Sequence, residues 1–342
     1  MTRRIILHCG LPKTGTSALQ VQFAQSRLAL LDNFDIDYLK DADFEKAATG
    51  KITSGNGGNL AKAYLPPSHP ASQSDHVDEF TQDVMAKIKQ TESHVLLSSE
   101  FFSSIPERRL AALIDTLSEQ GAVELVFFTR NQLSRLASAY MQQVKRHGEV
   151  RFPDAFFTKW ENQKAGMLYF KRFTRLAFVC EKAKLHVRPY ENAKDHDNGL
   201  LGLFLNTIGI ADTAKLDVED TPVNLSPSPL ELRLLLEVNR LQPRAGFSDM
   251  LVEASAQAGR SQPFSQHLIV PPSVRSEAKA VFDEDNQKFF REFVGTENQY
   301  PIDVEGDYID LSQLTFEAND VMFILSGLLA RIDRRLAKLE RG

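Results

Sequence analysis

The sequence predicts an α/β fold built on a central parallel sheet. Three observations carry this. Four short apolar, β-rich runs occur at residues 5–9, 95–98, 123–129 and 185–187. Each is followed by a segment of helical periodicity, starting near Thr16, Pro106, Asn131 and Asp197. A glycine-containing turn joins the first run to its helix. Strands that alternate with helices read as βαβ units, in which the crossover helices cover both faces of the sheet.

The chain has 342 residues, 42% of them hydrophobic, which is ample for a buried core. One α/β domain with insertions accommodates this length. The net charge of −5 gives no global attraction to nucleic acid or to an anionic membrane. Cys9 and Cys180 each sit in an apolar run, which reads as two buried thiols in a reducing compartment. No stretch approaches the ~18 apolar residues of a membrane span. The first apolar run is too short for a signal peptide and meets glycine and proline at once. The expectations are a cytoplasmic location, no membrane insertion and no nucleic-acid partner.

Residues 48–75 are rich in Gly, Ser, Asn and Pro, including Gly55-Asn56-Gly57-Gly58-Asn59 and Pro66-Pro67. Two readings stand for them: an exposed excursion, or a lid that contacts the substrate. A second irregular stretch, residues 217–229, separates the α/β part from a mainly helical one. Near the C-terminus, Met322, Leu325, Leu329, Ile332, Leu336 and Leu339 alternate spacings of three and four, the pattern of a coiled-coil seam. The repeat is short, and Phe323, Ile324 and Leu328 widen the apolar face. The helix therefore either docks on its own domain or forms a homodimer.

The first strand runs into Gly10-Leu11-Pro12-Lys13-Thr14-Gly15-Thr16-Ser17 and then a helix. Strand, glycine loop and helix N-terminus are the parts of a phosphate cradle, because backbone N–H groups and the helix dipole both favour an anion there. Two glycines flank four residues, as in a Walker A loop, but Thr16 stands where that motif has lysine. The lysine lies inside the loop, at Lys13, against the phosphate and the bridging oxygen of a group being transferred. The expected fold is therefore P-loop NTPase-like: three α/β/α layers with a helical C-terminal part.

These residues, Pro12-Lys13-Thr14-Gly15-Thr16-Ser17 followed by Ala18-Leu19-Gln20, resemble the 5′-phosphosulfate-binding loop of sulfotransferases that use 3′-phosphoadenosine 5′-phosphosulfate (PAPS). The ending is similar to bacterial, glycan-type members. Arg130 at the end of the 123–129 strand and Ser138 two turns into the next helix match the family's 3′-phosphate residues, and Ala139-Tyr140 completes a similar S-x-Y signature. The family often has proline two positions after the arginine, where this chain has Gln132. The match is looser at Val187-Arg188-Pro189-Tyr190-Glu191, at Asn224-Leu225-Ser226-Pro227 and at residues 281–286, and no chemistry is assigned to them. The resemblance implies a sulfotransferase domain over residues 1–300, with 48–75 as a lid-like excursion and 301–342 as a tail. It also implies transfer of a sulfuryl group to a hydroxyl or amine of a carbohydrate or glycan-bearing metabolite, leaving 3′-phosphoadenosine 5′-phosphate.

Such transfer needs a base for the acceptor proton. Glu100 follows the 95–98 run at the sheet edge where ligands bind in open α/β folds, and glycan-type relatives propose a glutamate in a comparable place. Lys13 and Glu100 are thus the expected catalytic pair, and no cluster with metal-ligand spacing is apparent. His69, His76 and His94 stay open as bases, whereas His8, inside a strand, reads as structural. Arg135 is an additional candidate for the phosphate. Two rivals remain: a Mg-ATP-dependent kinase or NTPase with Glu100 ending a Walker B strand, and a non-catalytic nucleotide-binding protein that oligomerises.

Overall fold

A computed structural model describes residues 2–213, 216, 226–241, 245–257 and 264–339. The irregular stretch read at 217–229 lies largely outside them, as do Asn224 and Leu225. Five strands form one all-parallel sheet: β1 (Arg4–Cys9), β2 (Ile36–Tyr38), β3 (His94–Ser99), β4 (Ala122–Thr129) and β5 (Lys184–Pro189). Their order is β2-β3-β1-β4-β5. Ile5 of β1 pairs with Val95 of β3 on one side and Val123 of β4 on the other. The chain moves outward from β1 on one side, returns to β3, then crosses to β4. The strand order therefore reverses at β1, and the crevice beyond its carboxyl end is where such sheets bind ligands.

Alternation along the strands sends side chains to both faces. Ile6, Leu96, Val126 and Phe128 meet Leu19 and Phe23 of helix α1 (Thr16–Gln25) and Leu201, Phe204 and Leu205 of helix Gly199–Thr207 in one buried cluster. On the opposite face Phe127 packs edge-on against Phe173 of helix Tyr169–Val179, with ring centroids 5.3 Å apart. Helix Glu107–Ser118 buries Leu110, Leu113, Ile114 and Leu117, a 3.6-residue stripe. Helices thus flank the sheet, as the sequence predicts. The short β2 has no counterpart among the predicted runs.

The chain divides into two compact units: Met1–Arg130, Leu168–Val223 and Glu284–Gln299 form the first, and Asn131–Met167, Asn224–Asp283 and Tyr300–Gly342 the second. In the first, Arg4 and His186 hydrogen-bond the carboxylate of Glu124 at the amino ends of the strands. Burial opposes ionisation of Glu124, but the bonds from His186 and Arg4 outweigh it and hold the carboxyl down at about 2. In the second, the fully buried Arg275 donates to the carbonyls of Leu268, Val270, Gly306 and Asp307. Asn239 Nδ2 donates to the carbonyls of Val144 and Glu149, tying helix Pro229–Leu241 to the end of Gln132–His147.

Both cysteines are buried, and burial raises the thiol pKa of each, that of Cys180 to about 11. No helix among the described residues is long and apolar enough to cross a membrane.

Candidate active site

Four strand ends build the candidate site, all at the carboxyl edge of the sheet. The loop after β1 carries Lys13. Glu100 directly follows β3, Arg130 directly follows β4, and Tyr190 directly follows β5.

The loop's shape follows from two left-handed residues, Lys13 at φ 69° and Gly15 at φ 74°. Gly15 suits that conformation, whereas Lys13 adopts it at a steric cost of roughly 1–2 kcal/mol. Such turns gather successive amides into an anion-binding concavity. Gly10 is required by contact, since a Cβ there would lie 2.1 Å from Thr16 Oγ1. Gly15 is required twice over, because a Cβ would also come within 2.6 Å of Leu200 and 2.9 Å of Tyr190. Thr14 Oγ1 donates to the Leu11 carbonyl at 2.8 Å and braces the turn from within.

Helix α1 then starts with no side-chain cap and no acidic residue in its first turn. Its N-terminal amides carry the positive end of the dipole. Thr16 Oγ1 is buried and has no hydrogen-bond partner in the protein. A buried hydroxyl of this kind, in the first turn of a helix that ends a glycine loop, is a donor set for a phosphate oxygen. Pro12 is exposed, and Ser17 is half-buried beside Thr16.

Arg130 reaches across from β4. Its Nη1 donates to the Lys13 carbonyl at 2.8 Å, and its guanidinium lies 5.5 Å from the centre of the Tyr190 ring. Tyr169 Oη donates to the Arg130 carbonyl at 2.7 Å, which fixes the strand end. The first unit therefore brings Lys13 and Arg130 directly together. Ser138 stands half-buried on helix Gln132–His147 in the second unit, as does Arg135, which donates to the Gly166 carbonyl.

Glu100 is exposed. It is tied to the loop through its neighbour, since the Gly10 amide donates to the Ser99 carbonyl at 3.2 Å. Phe101, the next residue, is contacted by the Lys62 ammonium at 5.3 Å and edge-on by the His69 ring at 6.2 Å. Among the histidines, His94 is corrected: it opens β3 at the amino edge, where Nδ1 accepts from the Arg4 amide, so it lies at the wrong end of the sheet to serve the loop. His76 is exposed beside Glu79. His8 is fully buried against Phe23, Phe128 and Phe204, with Nδ1 on Ser98 Oγ, and burial lowers its pKa to about 3. It is a neutral structural histidine.

Residues 48–75 contain a helix, Gly58–Ala63, that buries Leu60, Ala61 and Ala63. Asn56 pins the segment to the sheet: Nδ2 donates to the carbonyls of Leu39 and Leu96, and Oδ1 accepts from the Ser98 amide. The glycine-rich turn is thus anchored at its centre.

Sequence reasoning assigned no role to Tyr190, Leu200 or Tyr169. A usable signal for Tyr190 was its place, the first residue after a strand, which it shares with Glu100 and Arg130.

No protein-family model and no curated protein matches the chain. Among solved structures it is similar to a sulfotransferase from Alicyclobacillus acidocaldarius, at 14% identity and a TM-score of 0.45, over 86% of this chain and 97% of that one. At that distance the likeness carries no argument about activity, which rests on the residues of this chain.

Proposed function

We propose that the chain is a PAPS-dependent sulfotransferase. The observation that supports it is the loop: a lysine in left-handed backbone between two glycines, leading into an uncapped helix whose buried Thr16 hydroxyl lacks a partner. The loop amides, Thr16 and Ser17 bind the 5′-phosphosulfate. Arg130 and Ser138 take the 3′-phosphate, with the arginine fork supplying paired donors.

In the reaction an acceptor oxygen or nitrogen attacks sulfur in line, and the bond from sulfur to the bridging oxygen breaks. Glu100 accepts the acceptor's proton, and 3′-phosphoadenosine 5′-phosphate leaves with the electron pair. Lys13 and the loop amides stabilise the charge that gathers on that leaving oxygen. An exposed carboxylate at a sheet edge suits an acceptor that arrives from solvent, and the resemblance to glycan-type enzymes favours a carbohydrate or glycan-bearing metabolite.

A Mg-ATP-dependent kinase is the second reading. It is disfavoured because the Walker lysine position holds Thr16, whose hydroxyl is buried beside Gly10. Calorimetric titration with 3′-phosphoadenosine 5′-phosphate, AMP and Mg-ATP separates the two. Tight binding that requires the 3′-phosphate is the expected result. Binding of Mg-ATP with indifference to a 3′-phosphate would overturn the proposal.

A further inference from the structure

On helix Ala318–Leu339 the apolar side chains have different fates. One side lies against helix Ala245–Gln257, where Leu251 and Val252 are buried, and Leu328 is 9% exposed. The heptad seam runs beside it. Met322, Leu325, Leu329, Ile332 and Leu336 are 64%, 49%, 64%, 44% and 53% exposed. These are five of the nine large hydrophobic side chains recorded as exposed among the described residues, and they form one line. Docking therefore accounts for Leu328 and leaves the seam uncovered.

We infer that this seam pairs with the same seam of a second copy of the chain. Spacings of three and four bring every apolar position to one narrow stripe, and such a stripe packs knobs-into-holes against a helix of the same period. A second copy supplies that period without further assumption. In the heptad register that puts Met322, Leu329 and Leu336 at position a, Ser326 and the exposed Asp333 fall at e, and the docked Leu328 marks the g flank. An exposed acid beside the apolar stripe also disfavours an anionic membrane as occupant, although the helix is basic overall.

The area sets the strength. The five side chains offer roughly 500 Å² per copy, against about 800 Å² per partner in a standard stable interface. The pair is therefore weak and forms by mass action as concentration rises.

Sedimentation of the full chain over a concentration series tests this. The mass is expected to climb from 38.4 kDa toward twice that value. Leu329→Glu/Ile332→Glu should hold it at the monomer value with unchanged thermal unfolding, because both positions face solvent within one chain. In a separate variant, Leu329→Cys/Ile332→Cys should give a covalent dimer on mild oxidation, while Phe178→Cys, at a site 84% exposed elsewhere, should not. The native thiols are buried and give no background. A wild-type chain that stays at 38.4 kDa throughout overturns the inference, as does a dimer that survives the double glutamate variant. Flotation of a monomer with anionic phosphatidylserine vesicles also overturns it, in favour of a membrane surface. Should the glutamate variant fail to fold, the cysteine pair decides alone.

Discussion

Arg130 donates from Nη1 to the carbonyl of Lys13 at 2.8 Å, so the residue that ends β4 holds the backbone of the loop that follows β1. A guanidinium placed there sets the loop's shape and also adds positive charge beside it. Arg130→Ala should weaken binding of 3′-phosphoadenosine 5′-phosphate by roughly 10–100-fold, the value of one or two hydrogen bonds to a charged group. Arg130→Lys keeps the charge and loses the fork, and should fall between the two. Calorimetry reads both, and unchanged affinity in the alanine variant would remove Arg130 from the site.

Glu100 is exposed and makes no side-chain bond that the fold requires among those described, so Glu100→Gln should leave thermal unfolding unchanged. Its turnover should drop by about 10²–10⁴-fold, as for loss of a general base. Equal turnover would move the role of base elsewhere, with His69, held against Phe101, the first residue to examine.

Gly15→Ala combines a φ of 74° with a Cβ 2.6 Å from Leu200. The backbone contribution alone is about 1–2 kcal/mol. The expected outcome is a melting temperature several degrees lower, together with lost donor binding. A variant that melts and binds as the wild type would show that the loop relaxes freely.

His8 makes stability depend on pH. Its pKa is about 3 in the folded chain, lowered by burial from an ordinary 6.5. The neutral ring's contribution is complete above the unfolded value. It is lost as pH falls below 6.5, by up to ~1.4 kcal/mol per unit, until the folded value is reached. Glu124 acts in the same direction only below its ordinary 4.5, toward about 2. His94 and His267, also lowered by burial, share the upper window. Urea unfolding of His8→Phe beside the wild type isolates the histidine: the variant should show a shallower decline between about pH 6.5 and 5. Parallel curves would mean that His8 gains its proton in place.

Asn56 makes three buried backbone bonds, and Asn56→Ala leaves the Leu39 and Leu96 carbonyls and the Ser98 amide to find other partners. A loss of about 2–4 kcal/mol in urea unfolding is expected from such orphaned groups. A loss under ~1 kcal/mol would show that water replaces the side chain.

β1, β3 and β4 were legible because their centres are buried on both faces and read as short apolar runs, as in residues 125–128. The Thr16–Gln25 helix was legible from the loop chemistry ahead of it. β2, three residues long, is too short to show a period. Asn56 sits in a turn whose composition says only that the backbone bends there, while its role comes from partners 17 and 40 residues away. Arg130 was legible as a strand-end cation. Its bond to a backbone carbonyl was not, since any residue at Lys13 offers the same acceptor. In the C-terminal helix the period showed an apolar face, but only tertiary packing tells which side of that face is covered.

The last two carbonyls of β3 serve different loops: Ser98 accepts from the Gly57 amide and Ser99 from the Gly10 amide. One strand end is thus the common abutment of the loop after β1 and of the 48–75 segment. A displacement of β3 along its axis would carry the roots of both together, so their separation at that point is set by the strand and not by either loop's own stiffness.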